Sequence, residues 1–193
     1  IDEIGGNNGT GTDITYDNGS AVFSGTPSKV LINNLGAFDF TDGVDDVPFK
    51  IETSLSLESL PSTYPNDRFY LIGKRNNSSD AQEFLFLVRQ DGFQFTLFSN
   101  SPSAYISCRI YFTENLQLNE IYNLSVTYDG SKTKEGLKIS VNGTEQIGSV
   151  ESGVYTGQEL TGINTYLGTS GVDLNSNFRY FDGKIDYLKI YKW

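Results

Sequence analysis

The sequence predicts an all-β fold, an antiparallel two-sheet sandwich, and three observations point to it. Apolar and polar residues alternate in short stretches, as they do in strands that bury one face. No stretch of roughly eleven or more residues carries an apolar stripe with the period of a helix. Turn sequences rich in Gly, Asn and Asp separate the stretches. We therefore predict about ten to twelve strands in a single domain.

Taken in order, the strand segments differ in how they are buried. Residues 49–57 alternate between an apolar and a polar face, which predicts a half-buried strand. Residues 83–90 and 93–99 flank Asp91-Gly92, a dipeptide typical of two-residue hairpin turns, and their apolar residues lie on both faces. This hairpin is therefore expected at the centre of a sheet. The remaining predicted strands are 104–112, 121–128, 137–141, 166–167 and 184–192.

The turns and the chain ends complete the expected organisation. Asp129-Gly130 and Asn142-Gly143 predict tight hairpin turns. The domain is expected to span residues 1–193, with 1–12 as a flexible or loosely attached lead-in. Because the chain begins at Ile1 and has no Met, we expect it to be a processed product or a domain of a longer protein.

Composition excludes several classes of function. The 193 residues include no His, which removes Ser-His-Asp and Cys-His catalysis and every metal site built on imidazole. A single Cys cannot form an internal disulfide. The formal net charge of -10 argues against nucleic acid as a partner and against an anionic membrane surface. No apolar run reaches the roughly 18–20 residues of a membrane span, so membrane insertion is not expected.

Four segments in order resemble those of the concanavalin A-like lectin/glucanase superfamily, specifically its laminin-G-like jelly-roll branch. They are Ala-Val-Phe-Ser-Gly at 21–25 with Lys-Val-Leu-Ile at 29–32, Leu-Ser-Val-Thr-Tyr-Asp-Gly at 124–130, Leu-Lys-Ile-Ser-Val-Asn-Gly at 137–143, and Phe-Asp-Gly-Lys-Ile-Asp-Tyr-Leu-Lys-Ile-Tyr at 181–191. The resemblance implies a concanavalin A-like jelly roll whose outer, concave face is available to a ligand.

The enzymes of this superfamily carry catalytic residues that we do not find. Its glucanases use a strand of the form Glu-x-Asp-x-x-Glu, because one carboxylate attacks or stabilises the anomeric centre and another protonates the leaving oxygen. No strand-like run here has that pattern. The related polysaccharide lyases use His or Tyr with Arg and Gln, and His is absent. We therefore expect no enzymatic activity, with a divergent glycoside hydrolase as an alternative.

The resemblance also implies a structural calcium ion. In this superfamily an Asp on the closing strand holds calcium together with oxygens near the N-terminus, and Asp186 stands at that place. Asp2, Glu3 and the backbone carbonyl of Gly19 are the candidate partners, since calcium takes six to eight oxygen ligands. Alternatively, Asp186 caps a strand bulge through hydrogen bonds to backbone amides. The acidic loop 39–46 is interpreted as a solvated turn.

The candidate ligand-binding residues are aromatic side chains next to planar hydrogen-bonding groups, a combination that suits sugars. Tyr105, Arg109 and Tyr111 share one face of a strand whose other face is apolar. Tyr166, Arg179 and Tyr180 are expected at the rim of the same site. Alternatively, the tyrosines only cover the sheet. Because the acidic chain would repel uronates and sulfated glycans, a neutral glycan is the predicted ligand.

Together these features predict a non-catalytic, lectin-like carbohydrate-binding module of a larger protein at the extracellular, cell or virion surface. Its expected partner is a glycan or polysaccharide. The alternative from a different class is a structural or adhesive domain of a virion, fibre or cell-surface assembly that contacts protein partners.

Overall fold

The structure is a computed structural model that describes residues 9–25, 27–32, 35–62, 68–76, 81–99, 103–148, 150–172 and 180–193. These residues form sixteen strands in two sheets, and their only helical turns are two 3-10 turns, Leu35–Phe38 and Lys134–Gly136. The predicted all-β sandwich is confirmed. Within the described ranges, no helix is long and apolar enough to cross a membrane.

The front sheet, as we call it, has nine strands. Its members are β1 (Gly9–Thr12), β4 (Lys29–Ile32), β6 (Arg68–Asn76), β7 (Ala81–Arg89), β8 (Gly92–Phe98), β9 (Tyr105–Tyr111), β13 (Val150–Ser152), β14 (Thr165–Leu167) and β15 (Gly171–Val172). They run in the order β1-β4-β14-β6-β7-β8-β9-β13, with β15 paired in parallel to β6. All the other pairs in this sheet are antiparallel.

The back sheet has seven strands and is antiparallel throughout. Its members are β2 (Thr15–Asp17), β3 (Ser20–Ser24), β5 (Phe49–Leu57), β10 (Tyr122–Tyr128), β11 (Leu137–Val141), β12 (Thr144–Ile147) and β16 (Asp182–Lys192). They run in the order β12-β11-β10-β5-β16-β3-β2. The closing strand β16 thus lies between β3 and β5.

Aromatic rings from both sheets fill the space between them. Phe95 of the front sheet lies 5.9 Å, centre to centre, from Phe49 of the back sheet, and it also packs against Phe84 and Phe86 at 5.8 and 5.6 Å. All four rings are fully buried. Such close packing holds the strands in place, so side chains on the outer faces start from a rigid support.

The hairpin at 83–99 is central as predicted, since β7 and β8 lie between β6 and β9. Its turn differs by one residue from the predicted Asp91-Gly92: Arg89 pairs with Gly92, so the loop residues are Gln90 and Asp91. Gly92 instead serves close backbone packing, because a Cβ there would lie 2.0 Å from the carbonyl oxygen of Ile110.

Of the other two predicted turns, one is confirmed. Asn142 and Gly143 join β11 to β12 with φ of 49° and 86°, the conformation that a two-residue hairpin turn requires. The Asp129-Gly130 prediction is wrong, because the chain continues through the 3-10 turn Lys134–Gly136 before β11 begins. Residues 9–12, predicted as lead-in, form the edge strand β1.

Candidate functional site

Strand β9 places the three best candidate residues on the outer face of the front sheet. Tyr105, Arg109 and Tyr111 point outward because the residues between them, Ile106, Cys108 and Ile110, are buried in the core. The neighbouring strand β13 pairs with β9 only at positions 105–107. Arg109 and Tyr111 therefore lie beyond the reach of that edge strand, at a side of the sheet that a ligand can approach.

Arg109 is held in one orientation by two neighbours. Its Nη2 atom donates a hydrogen bond of 2.8 Å to Asp91 Oδ1, and its guanidinium carbon lies 3.8 Å from the centre of the Tyr111 ring. Tyr111 itself remains 61% exposed. The pair forms an aromatic platform backed by a planar cation, and both side chains are ordered before a ligand arrives.

A chain of polar side chains runs beside this platform across β8. Arg89 Nε donates to Gln94 Oε1 at 3.0 Å, and Gln94 Nε2 donates to Ser107 Oγ at 3.0 Å. Thr96 Oγ1 lies 3.0 Å from the same serine hydroxyl. Gln94 Nε2 also donates to Thr96 Oγ1 at 3.3 Å, so the network fixes the orientation of the Gln94 amide and leaves its Oε1 atom able to accept one more hydrogen bond.

The sequence reasoning did not find this network, although a signal was present. Gln94 and Thr96 alternate with buried apolar residues on β8, as Arg109 and Ser107 do on β9. The register pairs Gln94 with Arg109 and Thr96 with Ser107. Polar residues that interrupt a buried hairpin in matching positions could have pointed to the network.

Tyr105 belongs to a small apolar cluster on the same outer face. Its ring lies 5.7 Å from that of Phe98, and both pack with the buried residues Tyr70, Leu85 and Leu87. One side of Tyr105 therefore covers the sheet. Tyr105 and Arg109 are four positions apart on β9, which corresponds to about 13 Å along a strand.

Of the predicted rim residues, Tyr166 does not join the β9 group. Tyr166 faces outward from β14 but is buried beneath Lys29, whose Nζ lies 5.7 Å from the ring centre. Four strand spacings, about 19 Å, separate β14 from β9. Tyr180 is also buried and forms a bridge with Tyr70. Arg179 lies outside the described residues.

Cys108 offers no nucleophile near this face. Its side chain is fully buried and its Sγ atom donates to the carbonyl oxygen of Gln146 at 3.1 Å. Burial raises the pKa of the Cys108 thiol to about 11, so it stays protonated near neutral pH. The residue is a small core side chain, as the alternation on β9 predicts.

Asp186 lies at the β-bulge of the closing strand. The register shifts between Ile185 and Tyr187, and the Asp186 carboxylate accepts hydrogen bonds from Ser20 Oγ at 2.7 Å and Ser54 Oγ at 2.9 Å. Asp186 thus ties β16 to β3 and β5 through two hydroxyls, whereas the alternative interpretation had it binding backbone amides.

The described residues do not complete a calcium site around Asp186 by themselves. Among them, no group of three or more Asp, Glu, His or Cys side chains is placed to share a metal ion. Gly19 forms the β2–β3 turn beside Ser20, while nearby Asp17 is paired with Lys184 at 2.6 Å. Asp2 and Glu3 lie outside the described residues. Calcium therefore stays a prediction that depends on those two side chains.

Chelation tests the calcium prediction. If Asp186 holds calcium, EDTA lowers the melting temperature of the wild type, and Asp186→Asn removes that sensitivity because the carboxylate ligand is lost. Asp182→Asn is the matched control, since Asp182 also accepts a serine hydroxyl on β16, from Ser59 at 2.5 Å. A wild-type melt that EDTA leaves unchanged would remove calcium from this site.

The acidic loop 39–46 is a solvated turn, as the sequence suggested, at its exposed residues 42–45, whereas Asp46 at its end is buried. Its four carboxylates take separate partners: Asp39 pairs with Lys74, Asp42 accepts backbone amides of Val44 and Asp45, Asp45 pairs with Lys132, and Asp46 accepts tyrosine hydroxyls. The amides of Asp45 and Val44 lower the pKa of Asp42. Because each carboxylate is committed elsewhere, the loop does not gather them around one ion.

Comparison with known proteins places this geometry in a family. The laminin-G-like model of the concanavalin A-like lectin/glucanases superfamily matches residues 52–192, well over half of the chain. The chain belongs to this superfamily. The resemblance carried by the four sequence segments is thereby confirmed. A sequence search of curated proteins finds no match.

Solved structures with the same fold include both binding proteins and enzymes. Domains LG4-5 of the mouse laminin alpha1 chain match at 13% identity and a TM-score of 0.56, over 89% of this chain and 40% of that one. The Ruminococcus gnavus IT-sialidase CBM40, bound to alpha2,3 sialyllactose, matches at 15% identity with a TM-score of 0.54, over 75% of each chain. Alginate lyase A1-II' matches at 12% identity with a TM-score of 0.55, and the match covers 95% of this chain and 84% of the lyase chain.

These likenesses show the fold and leave the activity open. At such identities the shared feature is the sandwich, which supports both binding and catalysis. The chain spans about two fifths of the laminin structure.

Proposed function

We propose that this chain is a non-catalytic carbohydrate-binding module of a larger extracellular or cell-surface protein, and that it binds glycan on the outer face of the front sheet at β9. The observation that carries the proposal is the Arg109–Tyr111 pair: a well-exposed ring fixed at 3.8 Å on a guanidinium that Asp91 anchors. An aromatic face stacks on the apolar side of a sugar ring, and fixed planar donors select its hydroxyls.

The neighbouring polar network supports this ligand class. Gln94 is oriented by Arg89 and Ser107, so one more planar group sits beside the aromatic platform. Aromatic surface with a few fixed planar polar groups beside it is what a sugar ligand requires. The CBM40 structure, which shares the fold, contains bound sialyllactose.

The described strands β6 to β9 hold no pair of neighbouring carboxylates, which supports a non-catalytic role. Strands β6 to β9 contain one carboxylate, Glu83, and the β7–β8 turn adds Asp91. Glu83 is buried beside Lys74, and Asp91 is paired with Arg109. Glu83 and Asp91 are eight positions apart along β7 and its turn, about 26 Å of extended chain, whereas glycosidases hold their carboxylates about 5–9.5 Å apart.

The net charge bears on which glycan is bound. With a formal charge of -10, the chain repels polyanions at long range, so a neutral glycan is the proposed ligand. Arg89 and Arg109 provide local positive charge on the same face. A binding panel should therefore contain a neutral polysaccharide and a uronate polymer, and stronger retention by the uronate would overturn the proposal of a neutral ligand.

Affinity electrophoresis tests the binding proposal. We expect the wild type to be retarded by at least one neutral polysaccharide, and Tyr105→Ala/Tyr111→Ala to migrate as in an empty gel because both ring surfaces are lost. Tyr187→Ala/Tyr191→Ala is the matched control, since these two partly exposed rings lie on β16 in the back sheet. The control should be retarded like the wild type.

Two outcomes would contradict the proposal. If no polysaccharide retards the wild type, or if the β9 variant binds as well as the wild type, the outer face of the front sheet is not the site. Release of reducing or unsaturated sugar ends by the wild type would establish an enzyme, in line with the alginate lyase neighbour.

The structural or adhesive alternative has its own supporting observation. Ile147 on β12, Val150 on β13 and Val154 just beyond it are exposed apolar residues near the edges of the two sheets. Exposed apolar residues at strand edges favour protein contacts. A stable homo-oligomer in size-exclusion chromatography, lost when Val150 and Val154 become Ser, would favour this alternative.

A further inference from the structure

Three ionisable side chains meet at one place in the core, away from the proposed glycan face. Lys74 Nζ contacts Asp39 Oδ1, and it lies 2.7 Å from Glu83 Oε2. The side chains of Lys74 and Glu83 are both 0% exposed, while that of Asp39 is 26% exposed. We call these three residues the Lys74 cluster.

The fold directs the side chains of Lys74, Asp39 and Glu83 toward one another. Lys74 faces the core from β6, opposite Phe84 on β7. The register then shifts so that Arg75 pairs with Gln82, which leaves Glu83 as the extra residue of a β-bulge. Bulges redirect side chains, and here Glu83 turns toward the lysine. Asp39 follows the 3-10 turn Leu35–Phe38 and so enters from the segment that precedes β5.

Phenylalanine rings surround the cluster. Phe38 and Phe40, which flank Asp39, lie with ring centres 6.2 and 5.2 Å from that of Phe84, the neighbour of Glu83. All three rings are buried. An apolar surrounding of this kind makes buried charge costly.

A simple ion pair accounts poorly for this arrangement. Buried ion pairs stabilise only when the remaining polar atoms are satisfied. Glu83 Oε1 is satisfied, since it accepts the backbone amide and hydroxyl of Thr161 at 2.9 and 2.5 Å. Glu83 Oε2 is close to Lys74, yet it has no partner with hydrogen-bond geometry among the described residues. One lysine thus faces two carboxylates, and one oxygen points at its amine without a proper bond.

We propose that Lys74 and Asp39 condense spontaneously into an intramolecular isopeptide bond, with Glu83 as the catalytic proton carrier. Lys74 Nζ attacks Asp39 Cγ, a C–N bond forms, and one C–O bond of Asp39 breaks. Of the three protons on the Lys74 ammonium, one stays on the amide nitrogen. Glu83 passes the other two in turn to the departing Asp39 oxygen, which leaves as water. No oxidant, activating nucleotide or second protein is consumed.

Two physical effects make the condensation favourable inside this fold. Amine and carboxyl held in contact react at effective concentrations on the order of 10⁵ M or more. The product amide is also neutral, so the reaction removes two charges from among the phenylalanine rings. Thr161 acts as a positioning residue, because it holds the Glu83 carboxyl in place through Oε1.

The bond would join the two layers of the sandwich covalently. Asp39 lies in the segment leading into β5 of the back sheet, and Lys74 lies on β6 of the front sheet, 35 positions further along the chain. A cross-link that closes a loop of this length restricts the unfolded chain and raises the melting temperature. Such a link suits a domain that must stay folded outside the cell.

Intact-protein mass spectrometry tests the proposal directly. We expect the folded wild type to weigh one water molecule less than its sequence, and a protease digest to contain a branched peptide joining Lys74 to Asp39. Asp39→Ala should show its full sequence mass and melt roughly 10 °C lower, because a chain of this size shifts by about 2–4 °C per kcal/mol. Lys132→Ala, which removes the exposed pair with Asp45, should keep the loss of water.

Glu83→Gln separates catalysis from packing. This variant keeps the size of the side chain but cannot carry protons, so we expect a folded protein, by circular dichroism, at its full sequence mass. A Glu83→Gln protein that still loses water would overturn the role of Glu83. A folded wild type at its full sequence mass would overturn the isopeptide bond altogether.

Discussion

Asp46→Ala is expected to lower the free energy of unfolding by about 3–5 kcal/mol. The buried Asp46 carboxylate accepts hydrogen bonds from Tyr128 and Tyr155 hydroxyls, both at 2.8 Å, and from the backbone amide of Gln158 at 2.7 Å. Alanine would leave these three donors without their acceptor in a dry environment. Urea denaturation monitored by fluorescence measures the loss.

Two comparisons separate this effect from the general cost of removing an acid. Asp45→Ala removes the neighbouring carboxylate, which is 74% exposed and pairs only at the surface with Lys132, and should leave the denaturation curve nearly unchanged. Asp46→Asn keeps the shape of the side chain, but its amide NH₂ group faces at least one of the three donors and cannot accept from it. We therefore expect a loss of unfolding free energy between those of Asp45→Ala and Asp46→Ala. Equal curves for Asp46→Ala and Asp45→Ala would show that the buried network does not stabilise the fold.

The same network predicts how stability depends on pH. Burial, together with the charge of Asp46, raises the pKa of Tyr128 and of Tyr155 above the ordinary tyrosine value. Both hydroxyls therefore stay protonated in the folded state while unfolded tyrosines ionise near pH 10. Their contribution is fully present below about pH 10 and is lost as the pH rises further.

Arg109→Ala is expected to weaken glycan binding by about 10- to 100-fold, which corresponds to about 1.4–2.8 kcal/mol. The substitution removes the planar donors and also releases Tyr111, whose ring rests on the guanidinium at 3.8 Å. Arg109→Lys should recover only part of the affinity, because an ammonium neither stacks flat nor donates in a fork. Isothermal titration calorimetry with an oligosaccharide from the retarding polysaccharide measures both variants.

The back sheet supplies a matched control for Arg109. Lys189 Nζ lies 5.0 Å from the centre of the Tyr187 ring, so Lys189→Ala also removes a cation from an exposed tyrosine, on the opposite side of the sandwich. We expect its affinity to equal that of the wild type. If both variants weaken binding equally, the loss reflects a change in overall charge and the β9 face is not the specific contact.

The alternation of apolar and polar residues predicted the fold class and the longer strands, but it did not reveal the shortest strands. The alternation at 49–57 matches β5, and the two-sided apolar hairpin is central. The described residues nevertheless form sixteen strands, more than the predicted ten to twelve. The difference comes from strands such as β2 (Thr15–Asp17) and β13 (Val150–Ser152), which are too short to show a period of two.

The candidate site was predictable only where one strand determines it. Alternation along β9 correctly placed Tyr105, Arg109 and Tyr111 on one face. The burial of Tyr166 depends on the strands that lie beside β14. The order of strands in a sheet cannot be predicted from the residues of one short strand. The Lys74 cluster likewise joins positions that are distant along the chain, and Lys74 itself stands in the polar run Lys74-Arg75-Asn76, which gives no local sign of its burial.

The most direct test of the binding proposal is to locate the bound glycan. In two-dimensional NMR of the labelled chain, titration with the oligosaccharide should shift the signals of Tyr105, Arg109 and Tyr111 on β9 and of Gln94 on β8, and leave the signals of β16 from Tyr187 to Lys192 unchanged. Shifts confined to the back sheet, or to the β12 and β13 edges, would contradict the account.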